Sequence, residues 1–563
     1  MCRQLILMDR RGSTCYDVVM MIKPNRFLTG LFLLILIATA IVSRGPALHP
    51  TSVTLEHSSV PHVSGIFNQA PALETKTAPL TTETKDAQGA TPAAPEGTVQ
   101  QTTEARPSET QNLPPRRAAK PAQQDMPAAP EGMEGTTIYT VSKGDSVESL
   151  ARGYLAQTVF MTAAELESAI REANAGKLGK ALQAGQQVII PGVESAPIVE
   201  RPVLIPKDLE IRGIYLTGWT AGSTKGLELM RRWREAGGNA VVFDVKDFDG
   251  LVNVPFTHQL VPNQPHVLIH NLPKFVRFLH SLGLHSIARV ALFRDEYLVT
   301  HHPELAVRSR RSGGPWRENG KLVWTDPSRP DVQEYDLAIA RMAASSGVDE
   351  IQFDYVRFPA EGDQQDAKFA FQSTHPDWER SDVISDFLSR AYKQLHPLGV
   401  LVSLDVFGVM AWQREVDLDH TGQDIPAMAR FCDVLSPMIY PSHFFGMDGY
   451  ATPGNAPEHF IGESMQRFHE ITAETGVVLR PWLQAFAWRT PTYSPAYVRI
   501  QVSVAKNQDG IGFLFWNARN DYEKVFPAMA EMRAKPGQFF RGDQVRMGRT
   551  QDSAKRPVYR QPS

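Results

Sequence analysis

Short apolar runs recur along the larger, C-terminal part of the chain, and each carries a polar or aromatic residue near its end. Between them lie longer segments in which apolar residues repeat with helical spacing. The eight runs are 211–218, 240–247, 285–293, 350–359, 400–408, 434–441, 479–486 and 510–517. Near-continuous apolar runs are typical of strands covered on both faces, as in parallel sheets. Eight such strands alternating with helices predict an α/β fold, a (β/α)8 TIM barrel.

The segments that connect these runs are uneven in length. Turns that lead from a predicted helix back to a strand are short, as at 237–239 and 282–284. The segments that follow a strand are long in four places, namely 248–271, 294–327, 360–380 and 442–457. Long loops at the C-terminal ends of the strands build the active face of this fold. We therefore expect the functional residues to lie at that end of the barrel.

A smaller unit precedes the barrel, with a strand pattern from Ile138, two helical stretches and a second strand that ends at Pro191. Its opening reads Tyr-Thr-Val-Ser-Lys-Gly-Asp from Tyr139, and its end reads Leu-Gln-Ala-Gly-Gln-Gln-Val-Ile-Ile-Pro from Leu182. This βααβ order resembles the LysM module. The resemblance implies that the unit binds peptidoglycan or another glycan that contains N-acetylglucosamine. The alternative is a βααβ spacer without a ligand.

The N-terminal part of the chain reads as a targeting segment followed by a tether. An apolar run at 27–42 follows Lys23 and Arg26, which predicts a signal peptide or signal anchor with residues 1–26 in the cytoplasm. The rest would then be extracytoplasmic, either anchored to the inner membrane in the periplasm or secreted. Residues 43–136 are rich in Pro, Thr and Ala and poor in large apolar side chains, so they are expected to be a disordered linker.

These patterns divide the remainder of the chain into four parts. We expect a LysM-like module at 137–193, a linker at 194–207, the barrel at 208–535 and a polar tail at 536–563. The net charge of −3 argues against a nucleic-acid partner, which would favour a basic surface.

Cysteine and histidine usage limits the chemistry further. The three cysteines are Cys2, Cys15 and Cys432, and this set gives the barrel no disulfide framework. His301-His302 and the motif from Asp417 to His420 show no metal-ligand spacing, so they are interpreted as solvated loop residues. We expect no metal ion and no other cofactor.

Four aspartates stand near the C-terminal ends of predicted strands, where a buried charge is costly unless it is paired or used. They are Asp244, Asp247, Asp354 and Asp405. Structural alternatives are open for each. Asp354 could form an ion pair with Arg357, three residues further along the chain. Asp244 could pair with Lys246 or with Arg289.

Aromatic residues accompany these acids at the predicted strand ends. They are Trp219, Tyr355, Phe407, Trp412, Tyr440, Trp482, Trp488 and Trp516. Glycosidic bond cleavage needs two carboxyl groups, and aromatic faces bury the apolar faces of sugar rings. Asp354 and Asp405 are the predicted catalytic pair. The predicted substrate-binding residues are Asp244, Asp247, Tyr355, Arg357, Tyr440, Gln484 and Trp516.

Four motifs carry a second resemblance, which covers residues 209–532. They are Asp-Val-Lys-Asp at Asp244, Gln-Phe-Asp-Tyr-Val-Arg-Phe-Pro at Gln352, Met-Ile-Tyr-Pro at Met438, and Gly-Phe-Leu-Phe-Trp at Gly512. The chain thereby resembles a bacterial family of TIM-barrel glycoside hydrolases that is distantly related to amylase-type barrels.

The resemblance implies that Asp354 is the nucleophile after the fourth strand. Amylase-type barrels place a glutamate acid after the fifth strand, where this chain offers Asp405. Two other functions stay open. One is a non-catalytic, glycan-binding envelope protein with a degenerate barrel. The other is a deacetylase or another metal hydrolase, which would need a His/Asp ligand cluster.

Overall fold

The computed structural model of the protein describes residues 135–175, 178–179 and 181–542. The predicted N-terminal region, the apolar segment and nearly all of the predicted linker lie outside the described residues, as does the tail after residue 542. No helix in the described part of the chain is both long and apolar enough to cross a membrane.

Eight parallel strands close into a barrel, which confirms the predicted TIM-barrel fold. They are β1 (Ile211–Leu216), β2 (Ala240–Lys246), β3 (His285–Ala291), β4 (Glu350–Asp354), β5 (Leu401–Phe407), β6 (Val434–Ile439), β7 (Val478–Leu479 and Trp482–Gln484) and β8 (Gly512–Trp516). Each strand pairs with the next along the chain, and β8 pairs with β1 to close the ring.

The segments after β1, β3, β4 and β5 contain the helices Gly218–Ala221, Glu296–His301, Phe371–Thr374 and Glu415–Thr421. One further helix follows each of the eight strands and covers the outside of the barrel. They are α1 (Thr224–Glu235), α2 (Leu272–Ser281), α3 (Pro330–Ser345), α4 (Arg380–Leu395), α5 (Ile425–Met428), α6 (Pro457–Thr472), α7 (Pro495–Asn507) and α8 (Val525–Ala534). Local sequence fixes where several of them begin. Ser223, Asn271 and Ser494 cap α1, α2 and α7 by accepting a backbone N–H of the first turn.

The middle of the barrel interior is packed with apolar side chains. Ile211, Val242, Ile287 and Leu514 form this layer and are almost fully buried. The layer leaves no room for a side chain on Gly213, where a Cβ would lie 2.5 Å from Leu514 Cδ2. Polar side chains occupy the interior above and below this layer, so the two ends of the barrel carry its buried charges.

The long loops after β3 and β4 pair with each other over the C-terminal end of the barrel. Arg308–Ser309 from the first loop and Ala367–Lys368 from the second form a short antiparallel ladder. Trp316 and Trp324 of the β3–α3 loop are buried. The predicted placement of long loops at this end is therefore observed, and two of them share one packed wall.

The unit before the barrel has the predicted βααβ order. Strands Thr136–Thr140 and Gln187–Pro191 pair in antiparallel fashion around helices Val147–Tyr154 and Ala163–Ala173. Both helices begin at capping boxes, in which a hydroxyl side chain and the third helical residue satisfy each other's backbone N–H. The assignment of this unit as a LysM module stays a prediction.

Ordered structure continues past residue 535, where the polar tail was predicted to begin. Pro536–Phe539 is a short helix, and Phe539 and Phe540 are buried. The guanidinium of Arg212 lies 4.7 Å from the centroid of the Phe540 ring. Phe539 and Phe540 therefore pack the start of the predicted tail against the barrel.

Candidate active site

Arg289 organises the polar residues at the C-terminal end of the barrel interior. It lies on β3 and is 6% exposed. Its guanidinium donates to Asp354 Oδ2 from Nη2 at 2.7 Å and from Nε at 3.1 Å. It also donates to Asp244, and its Nη1 lies 3.5 Å from Asp247 Oδ1. Asp405 Oδ2 lies 4.0 Å from its Nε, so one cation gathers all four predicted aspartates.

Asp354 ends β4, and 12% of its side chain is exposed. Its Oδ1 accepts the backbone N–H of Tyr355 at 2.6 Å. Tyr355 has φ of 52°, a left-handed conformation that residues other than glycine rarely adopt. Backbone strain of this kind concentrates at functional sites, because the surrounding structure has to enforce it. Here it turns the chain sharply after the candidate nucleophile.

Asp405 occupies the opposite kind of environment, on β5. It is 2% exposed, and its Oδ1 accepts the indole N–H of Trp482 at 2.6 Å. Burial raises the pKa of Asp405 well above its usual range, and the negative charge of Asp354 raises it further. Arg289 and the Trp482 hydrogen bond oppose this shift without cancelling it. A raised pKa favours the protonated form of Asp405, which is the form that a general acid needs.

Asp244 and Asp247 complete the carboxylate cluster. Asp244 is fully buried and accepts the hydroxyl of Tyr215. Burial and then the charge of Asp247 raise the pKa of Asp244 to about 8, against the opposing effect of Arg289. Asp247 is more exposed and accepts the backbone N–H of Phe248 at 2.7 Å.

Lys246 does not take part in this cluster. Its Nζ lies 2.8 Å from both Asp295 and Asp336, outside the barrel interior. Of the two partners considered for Asp244, Arg289 is therefore the one observed.

Aromatic rings form a wall beside the carboxylate cluster. The rings of Tyr440 and Trp516 lie 5.7 Å apart, and Phe486 packs edge-on against both. Trp516 also stacks on Tyr215 at 6.4 Å, which joins this wall to the carboxylate cluster. The predicted roles of Tyr440 and Trp516 as sugar platforms fit this geometry and stay predictions.

Gln484 does not have the free amide group that a substrate-binding role would need. It is fully buried, and its Nε2 donates to the carbonyl of Phe486 at 2.9 Å and to Thr490 Oγ1 at 2.8 Å. Its Oε1 accepts the backbone N–H of Ser442 at 3.2 Å. The side chain therefore ties the loops after β6 and β7 together.

Arg357 does not pair with Asp354, and that part of the sequence interpretation is wrong. Its Nη1 donates to the carbonyl of Phe358 at 3.0 Å. Its guanidinium lies over three aromatic rings, those of Phe407, Trp324 and Tyr355, at 4.4, 4.8 and 5.3 Å. Arg289 is the actual partner of Asp354. The sequence signal for Arg289 was a charged residue inside the apolar run of β3, just as Asp354 is a charged residue inside the apolar run of β4.

The described residues contain no group of three or more His, Cys, Asp or Glu side chains that could hold a metal ion. Asp417 is instead paired with Arg414 at 2.6 Å, and His302 contacts the carbonyl of Leu260 at 2.9 Å. The arrangement at the barrel end is thus one of carboxyl groups, one shared arginine and aromatic walls.

A closed parallel barrel with paired carboxyl groups at the C-terminal ends of its strands defines a TIM-barrel hydrolase site. Residues 213–522 match the model of a family described as "Putative glycosyl hydrolase domain". Because the match covers more than half of the chain, the protein belongs to that family, and its barrel is that of a glycosidase. No curated protein matches the sequence.

Three solved structures are similar to parts of this chain. A hypothetical protein from Ruminiclostridium thermocellum is 37% identical, with 34% of this chain and 97% of that chain covered at a TM-score of 0.31. The PgaB (BpsB) glycoside hydrolase domain from Bordetella bronchiseptica is 15% identical, with 61% of this chain and 100% of that chain covered at a TM-score of 0.45. An endo-β-1,4-mannanase from Thermotoga petrophila is 12% identical, with 60% of this chain and 78% of that chain covered at a TM-score of 0.41.

Proposed function

We propose that the protein hydrolyses a glycosidic bond in an envelope or extracellular polysaccharide, with Asp354 as nucleophile or charge stabiliser and Asp405 as acid/base. The observation that carries this assignment is the contrast between the two carboxyl groups. Asp354 forms an ion pair with Arg289 and is partly exposed, whereas Asp405 is buried and has a raised pKa. Pairs of acids whose environments separate their protonation states are how one site runs acid and base chemistry together.

The proposed reaction uses these groups in sequence. Asp405 donates its proton to the departing glycosidic oxygen, while Asp354 meets the positive charge that develops at the anomeric carbon. Asp405, now deprotonated, can then take a proton from the attacking water. The wall of Tyr440 and Trp516 would hold the sugar ring that flanks the bond.

The rest of the chain suggests where the polymer is met. We propose that the LysM-like unit at 137–193 binds peptidoglycan or another N-acetylglucosamine-containing glycan. The apolar run at 27–42 would place the protein outside the cytoplasm, as an inner-membrane anchored or secreted protein. Both proposals rest on the sequence patterns alone.

The test pairs natural polymers with activated substrates. Full-length protein is incubated with peptidoglycan, chitin and other bacterial polysaccharides, and released reducing ends are measured. Once a polymer is cleaved, Asp405→Asn should lose activity on it but keep much of its activity on the matching dinitrophenyl glycoside, whose leaving group needs no proton.

Asp208→Asn serves as the matched control, because Asp208 is exposed just before β1, at the other end of the barrel. It should behave as the wild type on both substrates. Equal losses on polymer and activated glycoside in Asp405→Asn would contradict the acid role. Polymer binding without any release of reducing ends would favour the non-catalytic, glycan-binding alternative.

A further inference from the structure

Two arginines lie close to the ring of Tyr355, beside the carboxylate cluster. The guanidinium of Arg294 lies 5.9 Å from the ring centroid and that of Arg357 lies 5.3 Å from it. Arg294 also covers the ring of Phe248 at 4.7 Å and donates to the Phe248 carbonyl at 3.1 Å. The aromatic rings therefore hold both cations in place without neutralising them.

Neither arginine has an ion-pair partner within the described part of the chain. No carboxylate oxygen there lies within 4.0 Å of either guanidinium, and each guanidinium makes one hydrogen bond to a backbone carbonyl. A guanidinium carries five N–H donors, so most of these donors have no partner among the described residues. Glu318 and Glu361 act on Arg357 only from beyond ion-pair distance.

The burial of Arg357 favours the binding of an anionic group beside it. Arg357 is only 9% exposed, and burying a cation without a partner is unfavourable. Burial lowers the pKa of Arg357, and the like charge of Arg294 lowers it further. Cation–π contacts offset part of this cost. An anionic group bound between the two arginines would offset more of it.

The position of the pair relates it to the reaction centre. Arg357 follows Asp354 by three residues, after the strained turn at Tyr355, and Arg294 follows the end of β3 by the same number. Both therefore lie at the C-terminal end of the barrel, on the side of the β3–α3 and β4–α4 loops. The aromatic wall lies elsewhere along the chain, since Tyr440 directly follows β6 and Trp516 ends β8.

We propose that Arg294 and Arg357 form a subsite for an acidic sugar, in which the two guanidinium groups bind the carboxylate of a residue next to the bond that is cleaved. This inference rests on the proposed glycosidase function and narrows its substrate to polysaccharides that contain such sugars. The planar fork of a guanidinium matches a carboxylate in a bidentate fashion, which a neutral sugar hydroxyl cannot reproduce.

The test compares three sugars that differ only at carbon 6. Full-length protein is titrated with glucose, glucuronate and glucose 6-phosphate, and binding is followed by ligand-observed NMR. Glucuronate should bind more tightly than both others. Arg294→Gln and Arg357→Gln should each weaken glucuronate binding by about tenfold while leaving glucose binding unchanged. Arg430→Gln is the matched control, because Arg430 is exposed before β6, at the opposite end of the barrel.

The outcomes separate this subsite from the hydrolase assignment. Equal binding of glucose and glucuronate, or glucuronate binding that neither substitution weakens, would overturn the proposal. A preference for glucose 6-phosphate that both substitutions abolish would assign the arginines to phosphate and also overturn it. Arg294 is partly exposed, so its variant gives a folded protein even if Arg357→Gln melts early. Monosaccharide binding needs no turnover, so its result stands whether or not a polymer is hydrolysed.

Discussion

Strand β4 carries one acid at each end, and the two acids lie in opposite surroundings. Glu350 begins the strand and is fully buried between Arg480, at 2.9 and 3.0 Å, and His285, at 3.0 Å. These partners lower the pKa of Glu350 to about 2, although burial alone would raise it. Asp354 ends the same strand, where four carboxyl groups share Arg289.

The difference between the two ends is one of charge balance. At the N-terminal end Glu350 and Asp349 have several cationic or hydrogen-bonding partners, which for Asp349 include His280 and Ser286. At the C-terminal end the acids outnumber the cation, so Asp244 and Asp405 resist ionisation. Matched buried charges stabilise a fold only modestly, whereas shifted pKa values, such as those of these unmatched acids, are typical of functional sites. We therefore expect the acid at the N-terminal end of β4 to contribute to stability and the acid at its C-terminal end to contribute to catalysis.

Asp354→Asn should give the largest effect and should change rate rather than stability. We expect turnover of a cleaved polymer to fall by about 10³-fold or more, because the lost charge acts mainly on the transition state. Folding should change little, since Arg289 keeps Asp244 and Asp247 as partners. Steady-state rates and thermal melting measure the two quantities. A variant that melts early yet keeps its specific activity at low temperature would remove Asp354 from the active site.

The fold was predictable because barrel strands carry their own local signal. All eight apolar runs became strands, and the observed bounds differ from the predicted ones mainly at the ends. The run at 479–486 is the exception, because Arg480-Pro481 interrupts β7 and sends the Arg480 side chain inward to Glu350. Proline cannot donate to the sheet ladder, which accounts for the break.

The candidate site was predictable in membership but not in pairing. Strand position alone brings Asp244, Asp354 and Asp405 to one end of the barrel. Which arginine meets Asp354 depends on the register between β3 and β4, which places Arg289 opposite Gln352 and leaves its guanidinium to reach Asp354. The hydrogen bonds of the Gln484 amide likewise join two loops that are distant from each other in sequence, so no local sequence pattern predicts them.

Glu350→Gln should give the complementary effect at the other end of β4. It leaves the buried charge of Arg480 without its partner, so we expect a loss of roughly 3–5 kcal/mol in the free energy of unfolding. Urea unfolding at neutral pH measures this. Glu531→Gln is the matched control, because Glu531 pairs with Arg499 at 2.6 Å with 56% of its side chain exposed, and we expect about 1 kcal/mol or less.

The pH dependence of unfolding tests the same residue with a known sign. The folded pKa of Glu350, about 2, lies below its unfolded value of roughly 4.3, so its contribution is fully present above the unfolded value. That contribution is lost as the pH falls from there towards 2. Glu350→Gln has no carboxylate at this position, so its free energy of unfolding should fall less than that of the wild type as the pH is lowered through this range. A wild type and variant that differ by the same amount at pH 7 and pH 2 would contradict the assigned pair.

The smallest effect we expect is a shift in a pH profile, and it identifies the acid. Trp482→Phe removes the N–H that favours the charged form of Asp405, and Tyr215→Phe removes the hydroxyl that does the same for Asp244. Each change raises the pKa of its own aspartate. If Asp405 is the acid, the alkaline limb of kcat/KM moves to higher pH, by less than about one unit, in Trp482→Phe alone. A shift in Tyr215→Phe alone would transfer the acid role to Asp244, whose pKa of about 8 already suits it.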